Sequence, residues 1–186
     1  MAKTSGRAPR LGRREWVDAA LDALADGGVA AVAVEPVAVR LGTTKGSFYW
    51  HFANRDALLV AALEEWERRH TEQVIADLEV HADPRAQLRV LFHQAFVGVG
   101  TGSVEAAVLA DAASPLVAPV LRRVTTRRLD YLERTYAALG LTPAVASSRA
   151  LLAYTAYLGL FSLRRAAPNI VLDEELLAAL EPLLAA

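Results

Sequence analysis

Residues 41–52, Leu-Gly-Thr-Thr-Lys-Gly-Ser-Phe-Tyr-Trp-His-Phe, leave the backbone few choices. Gly42 can take the positive φ at which a preceding helix stops. Thr43 or Thr44 can then accept from the free N–H groups of a new helix. Phe48 and Phe52 stand four apart, so one face of that helix holds two large apolar anchors. Lys45, Tyr49, Trp50 and His51 are left on its other faces. Lys45 sits in the first turn, where a cation does little for the helix dipole and can serve an outside acceptor. A short helix anchored from within and lined with donors outside is the second half of a helix-turn-helix, which lays such a helix in the DNA major groove.

The rest of the chain repeats its apolar residues at helical spacing. Val17, Ala20, Leu21 and Leu24 mark a first helix that Gly27-Gly28 ends. A short helix from about Val34 to Leu41 and the recognition helix from about Thr44 to Tyr49 follow. Asn54 caps a long helix with Leu58, Leu59, Ala62, Leu63 and Trp66 on one stripe, and Glu64–Arg68 and Glu65–Arg69 are pairs on its exposed side. Asp83-Pro84, Ser114-Pro115 and Thr142-Pro143 each place a capping residue before a proline suited to a first helical position. The helix from Ala144 to Arg165 is apolar on nearly every face, and Asp173 opens a last helix through Leu184. No strand alternation and no internal repeat occur. The expected fold is all-α, with about nine helices, a three-helix head and a larger helical body.

Charge divides the same way. Residues 1–55 hold eight Lys/Arg against five Asp/Glu (8 − 5 = +3), and residues 56–186 hold twelve against sixteen (12 − 16 = −4). A basic first third on an acidic remainder fits a small anion-binding module joined to a body that stays off DNA. Lys3, Arg7 and Arg10, without an acid among them, make residues 1–12 a disordered basic arm: a solvated tail, or a segment that tracks phosphates or the minor groove.

From about Arg13 to about Leu63 the chain resembles the N-terminal DNA-binding domain of the TetR family of transcriptional regulators. The resemblance is carried by Trp16-Val17-Asp18-Ala19-Ala20-Leu21, Gly27-Gly28, Val37-Ala38-Val39-Arg40-Leu41-Gly42, Lys45 through Phe52, and Asn54-Arg55-Asp56-Ala57-Leu58-Leu59. It implies domains at 13–55 for DNA binding and 56–186 for ligand binding and dimerisation. It further implies that Thr44, Lys45, Gly46 and Ser47 face base edges while Tyr49, His51 and Arg55 bind phosphates. The chemistry agrees, since Lys donates to guanine and hydroxyl or imidazole donors suit phosphate oxygens. Trp50 either joins these contacts or pads the small core. The chain departs from the family where the second helix begins, because Ala33 and Val34 cannot cap and Glu35-Pro36 follows. Glu35 can accept from a cytosine amino group or simply favour the helix N-terminus.

For the body the resemblance implies a ligand pocket among the middle helices and a homodimer built by the last two long ones. Trp66, His70, Phe92, His93, Phe96 and Tyr131 are the pocket candidates, against plain core as the other reading of an aromatic stripe. A buried histidine must find a partner, which singles out His70 and His93. Tyr154, Tyr157, Leu158, Phe161, Leu176 and Leu180 are the dimer candidates, because helices this apolar need covering on several sides. The run Arg122, Arg123, Arg127, Arg128 is a second anion site or a solvated helix face.

Other classes find little support. Gly98-Val99-Gly100-Thr101-Gly102 follows no strand and meets neither G-x-G-x-x-G nor Walker spacing, so it is a flexible connection. The histidines at 51, 70, 81 and 93 have no metal-ligand spacing, and no nucleophile elbow occurs. Without cysteine there is no thiolate chemistry, which suits a reducing cytoplasm. Ala150 to Leu163, the longest uncharged run of the C-terminal region, is shorter than the roughly 20 residues that span a bilayer. The expectation is a cytoplasmic regulator without cofactor or metal. It binds a palindromic operator as a dimer and is a repressor released by a small apolar or aromatic effector. A regulator that lacks an inducer or activates, and more remotely an all-α enzyme or protein-binding module, are the alternatives.

Overall fold

The computed structural model describes residues 11–97 and 104–167, with 169, 175 and 178, and every regular element among them is helical. Helix α1 (Arg13–Ala31) starts where the Gly12 N–H donates to the Glu15 carboxylate (2.8 Å) and kinks at Gly27 and Gly28. Gly28 lies at φ 72°, ψ −170°, a combination that side chains with a Cβ essentially never adopt. The helix therefore breaks where the glycine pair predicts, and one further turn leads into α2 (Val34–Arg40).

Helix α2 closes with Gly42 at φ +62°. The Thr43 N–H donates to Ala38 O and the Gly42 N–H to Val39 O, each at 3.0 Å, which satisfies carbonyls the helix end leaves open. Helix α3 (Lys45–Phe48) follows, capped by Thr44, whose Oγ1 accepts from the Ser47 N–H at 3.4 Å. Asn54 caps α4 (Arg55–Glu67) in the same way, accepting from Ala57 at 2.9 Å. Helix α4 runs without a break through a π-helical turn (Arg68–Glu72) into α5 (Gln73–Glu79).

The body continues with α6 (Pro84–Val97), α7 (Val104–Ala110), α8 (Ala118–Ala138) and α9 (Pro143–Ala166). Asp83 caps α6 as expected, accepting from the Arg85 N–H at 3.0 Å. Thr142 precedes Pro143 at the start of α9, without a side-chain cap bond. Ser114-Pro115 does not open a helix. Ser114 anchors a run of turns, accepting from Val117 and Ala118, and α8 begins three residues after Pro115 with Pro119 in its own first turn. Most of the helix expected from Asp173 through Leu184 (all but residues 175 and 178, both helical), residues 1–10 of the basic arm and the glycine-rich connection at 98–102 lie outside the described residues.

One apolar cluster crosses from head to body. It takes Trp16, Val17, Leu21 and Leu24 of α1, Val37 and Ala38 of α2, Phe48, Phe52, and Leu58, Leu59, Leu63 and Trp66 of α4. It then continues through Val108 of α7 into Val117, Val120 and Val124. A second cluster joins Leu88 and Phe92 of α6 to Leu132 and Tyr136 of α8 and Ala146, Ala150 and Tyr154 of α9. The long α4 is thus core to the head and to the body at once. A staple adds to this: Arg69 binds Asp18 of α1 as well as Glu65 (2.5 Å). Glu65 pairs with Arg68 three residues on rather than Glu64 four, at 2.7 Å, and this bond with the one from Arg69 holds its carboxyl down at about 2.

The two glycines predict unequal costs. Nothing lies within 4 Å of a Cβ built on Gly42, and φ +62° is tolerable to other residues at about 1 kcal/mol, least for Asn. Gly28 is in the glycine-only region, so Gly28→Ala costs more, about 1–3 kcal/mol. Urea unfolding of the two alanine variants beside the parent should rank them in that order; equal midpoints would contradict it.

Candidate nucleic-acid interface

Helix α3 has four residues, and its position is decided by what lies beneath it. Phe48 is fully buried, with Trp16 edge-on at 5.4 Å and Phe52 stacked at 5.6 Å. Arg13 covers the outer face of Phe52 at 5.0 Å. These contacts leave the opposite side of α3 bare. Thr44, Lys45 and Gly46 are exposed, Ser47 is half-buried, Tyr49 is 57% exposed and Trp50 87%. Trp50 is therefore not core padding, whereas Tyr49 lays one ring edge against Phe48 (5.1 Å) and keeps the rest outside. His51 is half-buried at the rim.

Two polar residues occupy positions the sequence did not predict. Arg55 faces inward. Its Nε donates to Val32 O at 2.8 Å, one Nη donates to Val29 O, and the other meets Asp56 at 3.2 Å. It satisfies carbonyls at the α1–α2 corner and is a structural clamp, not the outward phosphate donor expected of it. Glu35 is the residue for which the sequence leaves two roles open. Its carboxylate accepts from Lys45 Nζ at 2.8 Å, with both side chains more than half exposed. Each sets the other's titration: the hydrogen bond from Lys45 lowers the Glu35 pKa, and the one to Glu35 raises that of Lys45. The departure from the family pattern at Glu35-Pro36 was the available signal.

In the body the expected pocket residues do not converge as a set. Trp66 is buried, but His70 and His93 are exposed, so neither histidine is the buried group in need of a partner. Phe92 belongs to the α6–α8–α9 cluster, and Tyr131 sits apart with Ile75 and Leu78, its hydroxyl donating to Gln87 at 3.1 Å. Phe96 and Phe161 side chains, and Leu176 and Leu180 altogether, lie outside the described residues.

The arginine run on α8 divides: Arg122 and Arg123 are exposed, as a solvated face would have them, while Arg127 and Arg128 are half-buried. Arg123 grips Glu67 (2.6 Å), Arg127 meets Glu72 (3.2 Å), and Arg128 turns inward. Arg128 binds the buried Glu105 of α7 with both terminal nitrogens (2.7 and 3.2 Å). Its remaining donors reach Thr71 Oγ1 (3.0 Å) and His70 O (3.1 Å), while the rings of Trp66 and Tyr157 lie 5.5 and 5.7 Å away. The π-helical turn shifts the backbone register of α4 at His70, and that carbonyl accepts from Arg128.

Tyr154 and Tyr157, expected at a dimer surface, also turn inward: Tyr154 is 5% exposed and meets Thr125 at 3.3 Å. The physical reason is Arg128, around which the helix packs its polar-tipped aromatics. Leu158 is half-buried against the same cluster. Among its described side chains, the large apolar ones that α9 exposes are Val145, Leu151, Leu152 and Leu163.

Residues 17–62 match the family profile described as "Bacterial regulatory proteins, tetR family". The HTH-type transcriptional regulator TtgR of Pseudomonas putida is 33% identical over 85 residues, 45% of this chain and 40% of that protein. The chain thus spans less than half the length of the curated relatives it matches. A transcriptional regulator from Rhodococcus sp. Rha1 superposes with a TM-score of 0.75 at 24% identity, covering 94% of each chain. The regulator FadR of Bacillus subtilis, in complex with stearoyl-CoA, gives 0.69 at 15% identity, covering 92% of this chain and 95% of that one. At such identities these likenesses establish the fold alone.

The buried pair at Arg128 predicts an asymmetric response to mutation. Glu105→Gln leaves a buried guanidinium without its counter-charge and should cost about 3–5 kcal/mol. Replacing both partners with apolar residues, Arg128→Met with Glu105→Leu, should cost far less. Denaturant unfolding checks this, and a double variant as unstable as the single one would contradict it.

Proposed function

We propose that the chain, whose residues 17–62 match the tetR family of bacterial regulatory proteins, is a DNA-binding transcriptional regulator of that family. The observation that carries this is the bare outer side of α3, where Lys45, Tyr49 and Trp50 are exposed above a buried Phe48. Thr44, Lys45, Gly46 and Ser47 meet base edges in the major groove, and Tyr49, Trp50 and His51 meet the backbone beside them. Residues 13–55 are the DNA-binding unit and the helices after them the regulatory and dimerising one.

Two copies assemble through the body, where Val145, Leu151 and Leu152 of α9 are large apolar side chains exposed on one chain alone. A two-fold of this kind presents two α3 helices to a palindromic operator. The protein acts in the cytoplasm as a repressor, and no described helix is long and apolar enough to cross a membrane. A small apolar or aromatic effector in the body releases it; stearoyl-CoA in the Bacillus subtilis regulator of the same fold supports an effector of apolar character. The route from body to head is α4, which shares its core with both and is gripped by Arg123, Arg127 and Arg128 at and beyond its end. An effector works by binding one spacing of the two heads better than the other.

Selection of duplexes from a random pool tests this, with the parent protein beside Lys45→Ala. The expected outcome is an inverted repeat for the parent. For the variant, affinity should fall by about five- to a hundredfold and the preference relax at one position per half-site. Binding that is salt-sensitive but blind to sequence would overturn the proposal.

A further inference from the structure

A carboxylate on a surface that approaches DNA is repelled by every nearby phosphate. Glu35 is such a group. It lies on α2 beside the first turn of α3, and its side chain is 71% exposed. It does not cap α2, whose start has no side-chain cap bond. Its partner is Lys45, ten residues away on the next helix, at 2.8 Å. The two charged tips therefore stand side by side at the entry of the recognition helix, an acceptor next to a donor.

That spacing matches the major-groove edge of one base pair. A G·C pair presents guanine N7 and O6 as acceptors and then the cytosine N4 amino group as donor. O6 and N4 are hydrogen-bonded to each other, so they lie about 2.9 Å apart. A lysine ammonium has three protons: one can remain on Glu35 while two reach N7 and O6. The Glu35 carboxylate then accepts from N4. An A·T pair reads acceptor, donor, acceptor, followed by the thymine methyl. Against that order Lys45 can meet adenine N7 and Glu35 the N6 amino group, which gives up one of the two ammonium contacts; any other placement faces the carboxylate with thymine O4 or the ammonium with the methyl.

Gly46 supports a close approach. Glycine inside a helix costs about 1 kcal/mol relative to alanine. Nothing in the packing demands it here, since a Cβ at this position would meet only Thr44 Oγ1, at an ordinary 3.7 Å. Its effect is to keep the turn next to Lys45 low enough for base edges to come near.

We propose that Glu35 and Lys45 act as one two-residue reader of a single G·C pair in each half-site, Lys45 on guanine and Glu35 on cytosine. Glu35 is then a specificity-determining residue, contributed by α2. This rests on the regulator reading above and adds to it a residue and a base pair.

The test uses a duplex selected by the parent protein and its single-pair replacements, titrated with the parent, Glu35→Ala and Glu35→Gln. The parent should prefer G·C over A·T at one position per half-site by about five- to a hundredfold. Glu35→Ala should reduce that preference severalfold, leaving only what Lys45 reads from guanine, and leave the ranking at other positions intact. Glu35→Gln should move it toward A·T, because a carboxamide pairs with adenine N6 and N7. If Glu35→Ala instead tightens binding to every duplex alike with the G·C preference kept, Glu35 is only a repelled charge and the proposal falls. If the parent selects no sequence at all, the regulator reading fails first and the base-pair reader with it.

Discussion

A helix of four residues has no stability of its own, because one turn fixes more backbone than its single hydrogen bond repays. The exposed side of this protein's head therefore exists only as long as Phe48 stays buried. Trp16 from α1 and Phe52 from the turn before α4 close around it, and Arg13 covers Phe52 from outside. Even the flaw in this core is consistent with that role: Trp16 Nε1 is buried without a hydrogen-bond partner, so its ring is placed for packing at the expense of its polar atom. The Gly42 turn and the Thr44 cap then set where α3 begins, leaving Lys45 at its entry.

Stability is shared between head and body in a way that couples them. The apolar cluster runs through α1, α4, α7 and the start of α8 without a gap. At the far end of α4 the π-helical turn, the His70 carbonyl and the buried Arg128–Glu105 pair join three helices at one guanidinium. A buried ion pair adds little net stability against an apolar replacement, but its geometry is demanding. A shift of α7 or α8 would pull the pair apart or carry α4 with it. Movement in the body thus has a stiff path to the head.

Much of this was legible locally. The Gly42 stop, the Thr44 and Asn54 caps, the Asp83-Pro84 start and the stripe from Leu58 to Trp66 depend on neighbours within one or two turns, and short-range chemistry decides them. Ser114-Pro115 shows the limit even there, because the same dipeptide opens a turn as readily as a helix. What failed depended on distant partners. Nothing around Arg128 in the chain marks it as different from Arg122, yet Glu105 draws it inside. Tyr154 and Tyr157 follow it inward, which leaves Leu151 and Leu152 as the exposed apolar side. The resemblance implies an outward Arg55, while Val29 and Val32, more than twenty residues earlier, supply the carbonyls that hold it. Glu35 marks a departure from the resemblance, and only its contact with Lys45 shows what it faces.

Entry of α3 into the major groove, with Lys45 against guanine, is tested most directly by methylation protection. Dimethyl sulfate marks guanine N7 in the major groove and adenine N3 in the minor groove. On a selected duplex the parent protein should shield guanine N7 at one position in each half-site, and Lys45→Ala should restore its reactivity there. Guanine N7 left fully reactive under the bound protein, or protection indifferent to Lys45, would contradict that placement.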